Sequence, residues 1–232
     1  MQQIVPDVYR IEGLRGGHVY LLVTGADLTL VDTGSGGAVD RVVDQIEAEG
    51  LSLAHLRAIV LTHAHSDHTG SAAELAHRSG APILAHRDEV PYIERNLALP
   101  VASPLMRSLL WLSDRLASGQ AACTVDRSLE DGETIPALGG LQVIHTPGHT
   151  PGGLCLYQQE RRILFCGDTM FNVNPMTGRK GLRFAIPLVS VDMDQVRASV
   201  RRLADLPVDI LCPGHGEPIL GVATEKMRAL LV

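Results

Sequence analysis

The sequence contains few of the features that place a protein outside the cell or in a membrane. It has only four cysteines in 232 residues, and no two of them form a C-x-x-C pair. Three of the four lie in apolar runs, so buried thiols in a reducing compartment are a better interpretation than a disulfide framework. No apolar run reaches the length of a membrane span, and no basic segment with a long apolar stretch opens the chain. We therefore expect a cytoplasmic protein without a membrane anchor.

Two further classes are disfavoured by what the chain lacks. The formal net charge is −6, and no basic stripe is longer than Arg161-Arg162 or Arg201-Arg202, so a nucleic-acid partner is not expected. No G-x-S-x-G motif is present, and a serine nucleophile is therefore not indicated. The composition, 45% hydrophobic and 20% charged, is that of an ordinary globular protein. Its length predicts one domain over residues 1–232 with a sizeable core.

Strand and helix signals alternate through much of the chain. Residues 8–11 are expected to form the first strand, and a hairpin is predicted around Gly25-Ala26-Asp27. A helix follows between residues 38 and 50, because its apolar residues recur at helical spacing before Gly50. Further helices are predicted over residues 71–79 and 192–205. This alternation indicates an α/β layered core.

Residues 87–120 interrupt the alternation and predict a helical insertion. Three prolines divide the segment, and four leucines recur at helical spacing, at positions 105, 109, 112 and 116. The stripe fits a helix packed on its own core, or an insertion that forms a lid or a homodimer face. Binding to a membrane surface is a weaker alternative, since the polar face is only weakly basic.

The densest group of chemically active side chains lies at residues 60–70. The run VLTHAHSDHTG places three histidines and one aspartate, His63, His65, Asp67 and His68, directly after an apolar strand. Imidazole nitrogens and carboxylate oxygens together suit zinc, manganese or iron. His63 and His65 would point to the same side of an extended segment, and Asp67 and His68 would reach a neighbouring point after a turn. The spacing predicts two adjacent ions; a polar loop with clustered histidines is the alternative.

Three later strands also end in turns that carry a histidine or an aspartate, namely His149, Asp168 and His215. Ligands on loops at strand ends suit a metal site, because the core fixes their positions while their tips converge. Asp32, which ends an earlier strand, is interpreted as a hydrogen-bonding support for the histidine-rich loop; a plain turn residue is the alternative. Glycines beside the three later side chains allow the backbone to approach an ion closely.

The H-x-H-x-D-H run, P-G-H-T-P-G, G-D-T-M-F and P-G-H-G-E-P occur in this order and resemble the metallo-β-lactamase superfamily. The resemblance covers about residues 5–220 and implies an αββα sandwich, with two mixed β-sheets face to face and helices outside. It also implies two divalent metal ions, with Zn²⁺ favoured and Mn²⁺ or Fe²⁺ as alternatives. One ion would be bound by His63, His65 and His149 and the other by Asp67, His68 and His215, with Asp168 bridging both.

In such a site a water between the two cations loses a proton near neutral pH, so hydroxide is the expected nucleophile. Asp67 would be both a ligand and the catalytic group that orients the hydroxide or accepts its proton. An aspartate at the bridging position argues against antibiotic hydrolysis and suits thioesterases, lactonases and phosphodiesterases. G-D-T-M-F is most similar to glyoxalase II, although the glutathione-contacting run of that family is replaced by residues 172–175 and its C-terminal helical domain is missing.

The predicted activity is cleavage of a small ester-like molecule, a thioester or a lactone. The alternatives are an iron-dependent persulfide dioxygenase and a phosphodiesterase of the same superfamily, or a binding module without catalysis. His18 and Phe171 are candidate substrate-binding residues; Phe171 stands where similar lactonases carry a tyrosine. His145 is interpreted as a core or supporting residue. Arg179, Lys180 and Arg183 form either a solvated loop or an anchor for an anionic substrate.

Overall fold

Two large β-sheets organise the chain. The computed structural model describes residues 1–100, 123–175 and 177–232. Its first sheet has seven strands that lie side by side in chain order: Gln2–Val5 (β1), Val8–Arg10 (β2), Tyr20–Thr24 (β3), Asp27–Val31 (β4), Leu56–Leu61 (β5), Ile83–His86 (β6) and Arg127–Leu129 (β7). Strands β1 to β4 pair antiparallel with one another. Strands β4 to β7 are parallel, so their carboxyl ends lie at one edge.

The second sheet has six strands in the order β15-β14-β11-β10-β9-β8. They are Thr134–Ile135 (β8), Leu141–His145 (β9), Leu154–Gln158 (β10), Ile163–Gly167 (β11), Ile210–Pro213 (β14) and Ile219–Leu220 (β15). Strands β11 and β14 are parallel, and the other neighbours are antiparallel. A separate antiparallel hairpin joins Met170–Val173 (β12) to Lys180–Phe184 (β13).

Helices cover the outer faces of both sheets. Within the described residues they are Val39–Ala48 (α1), Ser66–Thr69 (α2), Ala72–Ser79 (α3), Val90–Ile93 (α4), Met193–Ala204 (α5) and Ala223–Ala229 (α6), with short 3₁₀ turns at Leu53–His55 and Pro187–Val189. Helix α3 ends at Gly80, whose φ of 73° glycine adopts without steric cost. Helix α5 begins at Asp192, whose side chain accepts hydrogen bonds from the first free N–H groups.

Three apolar layers result from the alternation of side chains along the strands. Leu21 and Leu30 point outward from the first sheet and pack with Val42 of α1 and Leu75 of α3. Alternate residues of the same strands point inward and form the layer between the sheets, which includes Tyr20, Leu22, Val60, Leu156 and Phe165. A third layer lies between the second sheet and helices α5 and α6. The predicted αββα sandwich is therefore confirmed.

Two sequence-based expectations differ from the structure or fall outside it. The strand predicted over residues 8–11 is the second strand, because Gln2–Val5 pairs with it through a turn at Asp7. The apolar-run signal missed this edge strand, since it opens with the exposed glutamines Gln2 and Gln3. Of the predicted insertion over residues 87–120, the described part contains α4. The leucine stripe lies at residues 105–116, outside the described residues, so the lid and the homodimer face stay predictions, as does the single domain over 1–232.

All four cysteines are buried, and none forms a disulfide: Cys123, Cys155, Cys166 and Cys212. Burial raises the pKa of Cys123 and of Cys155 to about 11, which keeps both thiols protonated near neutral pH. This agrees with the expectation of buried thiols.

Among the residues that the structure describes, no helix is both long and apolar enough to span a bilayer.

Candidate functional site

Loops from both sheets bring the predicted ligands to one edge of the sandwich. Strand β5 is followed directly by residues 63–68, β9 by His149, β11 by Asp168 and β14 by His215. Because β11 and β14 are parallel, Asp168 and His215 emerge at the same edge of the second sheet. All seven predicted ligands fall into two groups of close donor atoms, His63, His65, His149 and Asp168 in the first cluster, and Asp67, His68 and His215 in the second cluster.

In the first cluster, three ring nitrogens face one another. His65 Nδ1 lies 3.1 Å from His63 Nε2 and 3.0 Å from His149 Nε2. Four ligands in a tetrahedron around zinc, at about 2.0–2.1 Å each, lie roughly 3.3 Å apart, close to the observed spacing. Three imidazoles in this arrangement therefore fit a shared cation.

Hydrogen bonds on the far side of two of these rings orient the lone pairs toward the cluster. Ser190 Oγ donates to the Ile186 carbonyl, so it accepts from His149 Nδ1 at 3.0 Å and leaves Nε2 as the free acceptor. Thr62 Oγ1 lies 3.0 Å from His63 Nδ1 in the same way. Burial and the neighbouring His65 lower the pKa of His149 to about 3, so its imidazole is neutral. A neutral imidazole is the form that binds a metal.

The second cluster is more polar and is held from below by Asp32. Asp32 Oδ2 accepts from His68 Nδ1 at 2.8 Å and from Thr62 Oγ1 at 2.8 Å, while Oδ1 accepts from Thr62 N. His68 Nε2 then lies 3.4 Å from His215 Nε2, and Asp67 Oδ2 lies 3.3 Å from His215 Nε2. The supporting role inferred for Asp32 from its position after a strand is thus observed.

Electrostatics separate the two clusters. Burial disfavours protonation of His215, but Asp168 outweighs it and raises the pKa of His215 to about 9. Burial opposes ionisation of Asp67, yet the imidazoles of His68 and His215 hold its pKa at about 2. Without metal ions, the second cluster therefore carries a proton near neutral pH, which an arriving cation would displace.

Asp168 lies between the clusters, buried to 5% exposure. Its Oδ2 lies 3.6 Å from His149 Nε2 and 3.4 Å from His215 Nε2. Its Oδ1 accepts no hydrogen bond within the described part of the chain, although His68 Nε2 lies 3.3 Å away. A buried carboxylate oxygen normally has a partner, so this one fits a cation ligand. The residues present thus fit a pair of divalent ions with Asp168 between them.

Two glycines are required by the tight packing around His68. A Cβ at Gly17 would overlap the His68 ring, and a Cβ at Gly214 would overlap Asp168 Oδ1. Both loops approach the second cluster closely only because these positions have no side chain.

The two predicted substrate-binding residues both lie beside the candidate ligands. His18 Nε2 is 2.9 Å from the Gly216 carbonyl, and His18 N donates to the Gly214 carbonyl at 2.7 Å, so His18 fastens the loop of His215. Phe171 is buried, stacks on His215 at 5.1 Å between ring centroids, and meets His149 edge-on. His18 thus contacts the loop of His215 and Phe171 contacts two ligand rings, and the contact of either residue with substrate stays a prediction.

The residues His86, Asp88 and His145 form a third group of possible donor atoms. The rings of His86 and His145 are stacked, 3.9 Å apart and 9° from parallel. Nitrogen lone pairs lie in the ring plane, so rings in this arrangement cannot both direct a lone pair at one ion. His145 Nε2 lies 2.9 Å from the Pro151 carbonyl, which matches the supporting role predicted for His145.

Sequence reasoning missed two features near the site. Glu89, within the predicted insertion, is fully buried and contacts the loops that carry His63 and His149. A glutamate beside Asp88, two positions before Pro91, gave no signal of this role. The strands β12 and β13 were also missed. Strand β13 carries Lys180 and Arg183, and Arg179 directly precedes it; Arg179 and Lys180 are exposed.

The structural comparison defines the class of protein. A metallo-β-lactamase family protein from Thermus thermophilus superposes with a TM-score of 0.75 at 25% identity over 99% of this chain and 79% of its own. The BLEG-1 B3 metallo-β-lactamase superposes with a TM-score of 0.70 at 25% identity over 94% and 95% of the two chains. The family model of the metallo-β-lactamase superfamily matches residues 13–215. The chain belongs to the metallo-β-lactamase superfamily.

Sequence relatives point to hydrolases. The probable metallo-hydrolase YflN of Bacillus subtilis is 31% identical over 83% of this chain and 76% of its own length. The thioesterase pkgB of Emericella nidulans is 28% identical over 90% of this chain, which spans 48% of that longer protein. Together with the superfamily match, these findings support a hydrolase whose clustered histidines and aspartates could hold metal ions.

Proposed function

We propose that the protein is a dinuclear metal-dependent hydrolase that cleaves a small ester-like substrate, a thioester or a lactone. The observation that carries the proposal is the position of Asp168, whose carboxylate lies within 3.3–3.8 Å of histidines in both clusters. A single carboxylate in contact with two neighbouring donor sets suits a shared pair of ions. The thioesterase among the relatives supports the substrate class.

Two divalent ions in these clusters would supply Lewis-acid polarisation of a carbonyl and a water that ionises near neutral pH. The chain's own residues would orient the reaction. Asp67, with a pKa of about 2, is ionised and can orient a proton beside His215 by accepting a hydrogen bond. His149 and His63 stay neutral because burial lowers the pKa of each ring. The hydrogen bonds at their Nδ1 atoms leave Nε2 as the atom that would bind a metal. Zinc is the favoured metal, because histidine and aspartate side chains are common zinc ligands. Manganese and iron are alternatives, because the metal bound by such a site also depends on which metals are available.

The test combines metal analysis with a substrate panel. The purified protein is expected to contain two divalent ions per chain and to hydrolyse thioesters or lactones. Activity on phosphodiesters alone would overturn the substrate class. One iron per chain with oxygen consumption on a persulfide would favour the dioxygenase instead.

A further inference from the structure

Two carboxylates flank strand β5 of the first sheet at the edge where the ligands emerge. Strands β4, β5 and β6 are parallel neighbours, and β5 delivers the histidine-rich loop. Asp32 follows β4 and supports His68 and Thr62. Glu89 follows β6, the neighbour of β5 on the other side. The loop after β5 therefore has one carboxylate on each side.

The Glu89 carboxylate joins two loops that come from different sheets. Its Oε1 accepts from Ala64 N at 2.8 Å, and Ala64 lies between the candidate ligands His63 and His65. Its Oε2 accepts from Gly152 N at 2.6 Å, in the loop that carries His149. Each oxygen thus fixes the backbone beside a different part of the first cluster.

Glu89 is buried and closely packed between the two loops. The side chain has no exposed surface. A Cβ at Gly152 would overlap the Glu89 backbone nitrogen, so that loop is pressed directly against residue 89. Leu154 N also donates to the Thr62 carbonyl at 3.0 Å, which brings the same two loops together a second time. A buried carboxylate is costly unless it is fully hydrogen bonded, and here two backbone N–H groups bond it.

We propose that Glu89 is a positioning residue for the first metal: it sets the distance between the His63–His65 segment and the His149 loop. The inference rests on the proposed function in that the first cluster binds an ion. The hydrogen bonds of Glu89 to Ala64 and Gly152 end on backbone N–H groups, so its influence on the ion is exerted through the two loops. Supporting groups of this kind typically change metal affinity by about 10–100-fold when replaced.

The test is the zinc affinity of Glu89→Gln, measured by competition with a chromophoric chelator. Glutamine keeps the volume but has one acceptor oxygen, so its NH₂ group would face one of the two N–H groups. A His215→Asn background weakens the second cluster, so that the first cluster dominates the titration. The matched control is Asp126→Asn, because Asp126 accepts from Ile83 N at 2.8 Å at the opposite end of β6.

We expect Glu89→Gln to weaken zinc binding by about 10–100-fold in that background, with Asp126→Asn unchanged. With His215 intact, the zinc affinity of the second cluster should be the same in Glu89→Gln as in the unmodified chain. Unchanged affinity in Glu89→Gln, or equal losses in both variants, would overturn the inference.

If Glu89→Gln fails to fold, amide hydrogen exchange of the unmodified protein decides. The Ala64 and Gly152 amides should be protected, and free exchange at both would overturn the contact. The zinc readout is independent of catalysis. A chain that binds zinc through Glu89 but hydrolyses nothing in the panel refutes the hydrolase alone, whereas an active enzyme with normal zinc affinity in Glu89→Gln refutes the positioning role alone.

Discussion

Zinc binding to the second cluster should depend steeply on pH because His215 must lose a proton first. Its pKa is raised to about 9, so near pH 7 the imidazole is almost fully protonated. Well below this pKa each pH unit weakens binding about tenfold, and at pH 9 half of the imidazole is still protonated, so affinity should rise roughly 50-fold, or about 2.3 kcal/mol, between pH 7 and pH 9. His68, whose pKa Asp168 and Asp32 raise against the effect of burial, should steepen the dependence.

The first cluster should behave differently. Burial lowers the pKa of His149 to about 3 and that of His63 well below its usual value, so neither ring carries a proton to release near neutral pH. Calorimetric titrations of the metal-stripped protein in buffers of different ionisation enthalpy measure the protons released per zinc. We expect at least one proton with the ion that enters the second cluster, and none from His63 or His149.

The variant His215→Asn tests the assignment, and His77→Asn is its control, since His77 is an exposed histidine on α3. Proton release should fall by about one in His215→Asn and stay unchanged in His77→Asn. Equal proton release in His215→Asn and the unmodified chain would refute the reasoning. The interactions that raise the pKa of His215 also stabilise the metal-free fold. This contribution, about 3 kcal/mol, is fully present below pH 6.5 and is lost as pH rises to about 9. Urea unfolding across that range measures the loss.

Three further outcomes are expected. Asp168→Ala should lower metal content and hydrolysis together, measured by elemental analysis and the substrate panel, and full turnover without Asp168 would show that the bridging role is wrong. Ser190→Ala removes the partner of His149 Nδ1 and should weaken zinc binding about 10–100-fold in chelator competition; unchanged affinity would contradict the orienting role. Phe165→Ala empties the layer between the sheets, where Phe165 meets Tyr20 edge-on at 5.4 Å, and should cost about 3–5 kcal/mol of unfolding free energy in urea titrations. A loss under about 1 kcal/mol would mean that the layer closes around the gap.

The candidate ligands could be predicted from the sequence because each follows an apolar strand. Parallel and antiparallel strands that end at one edge bring such residues together, which is why His149, Asp168 and His215 meet the histidine-rich loop although they are far apart in the chain. The αββα layers were predictable for a related reason, since a family resemblance accompanied those motifs. The role of the seven candidate residues as metal ligands remains a prediction.

Other parts of the site could not be predicted, because they depend on long-range contacts without a local pattern. Glu89 is one acidic residue in a segment broken by prolines, and only the fold shows that it faces Ala64 and Gly152. Ser190 supports His149 from 41 positions away. The edge strand Gln2–Val5 was missed because its exposed residues carry no apolar run. Periodicity reports which face of an element is buried, and it says nothing of which side chain a loop meets.

The hydrogen bonds behind the rings have a consequence for how the protein acquires its ions. Asp32, Thr62 and Ser190 hold three imidazoles through protein contacts alone, so the orientation of these rings does not depend on a bound ion. We therefore expect the folded chain to bind metal ions without coupled folding. Such a protein can exchange one cation for another while intact, and the supply of metal in its surroundings decides which one it carries.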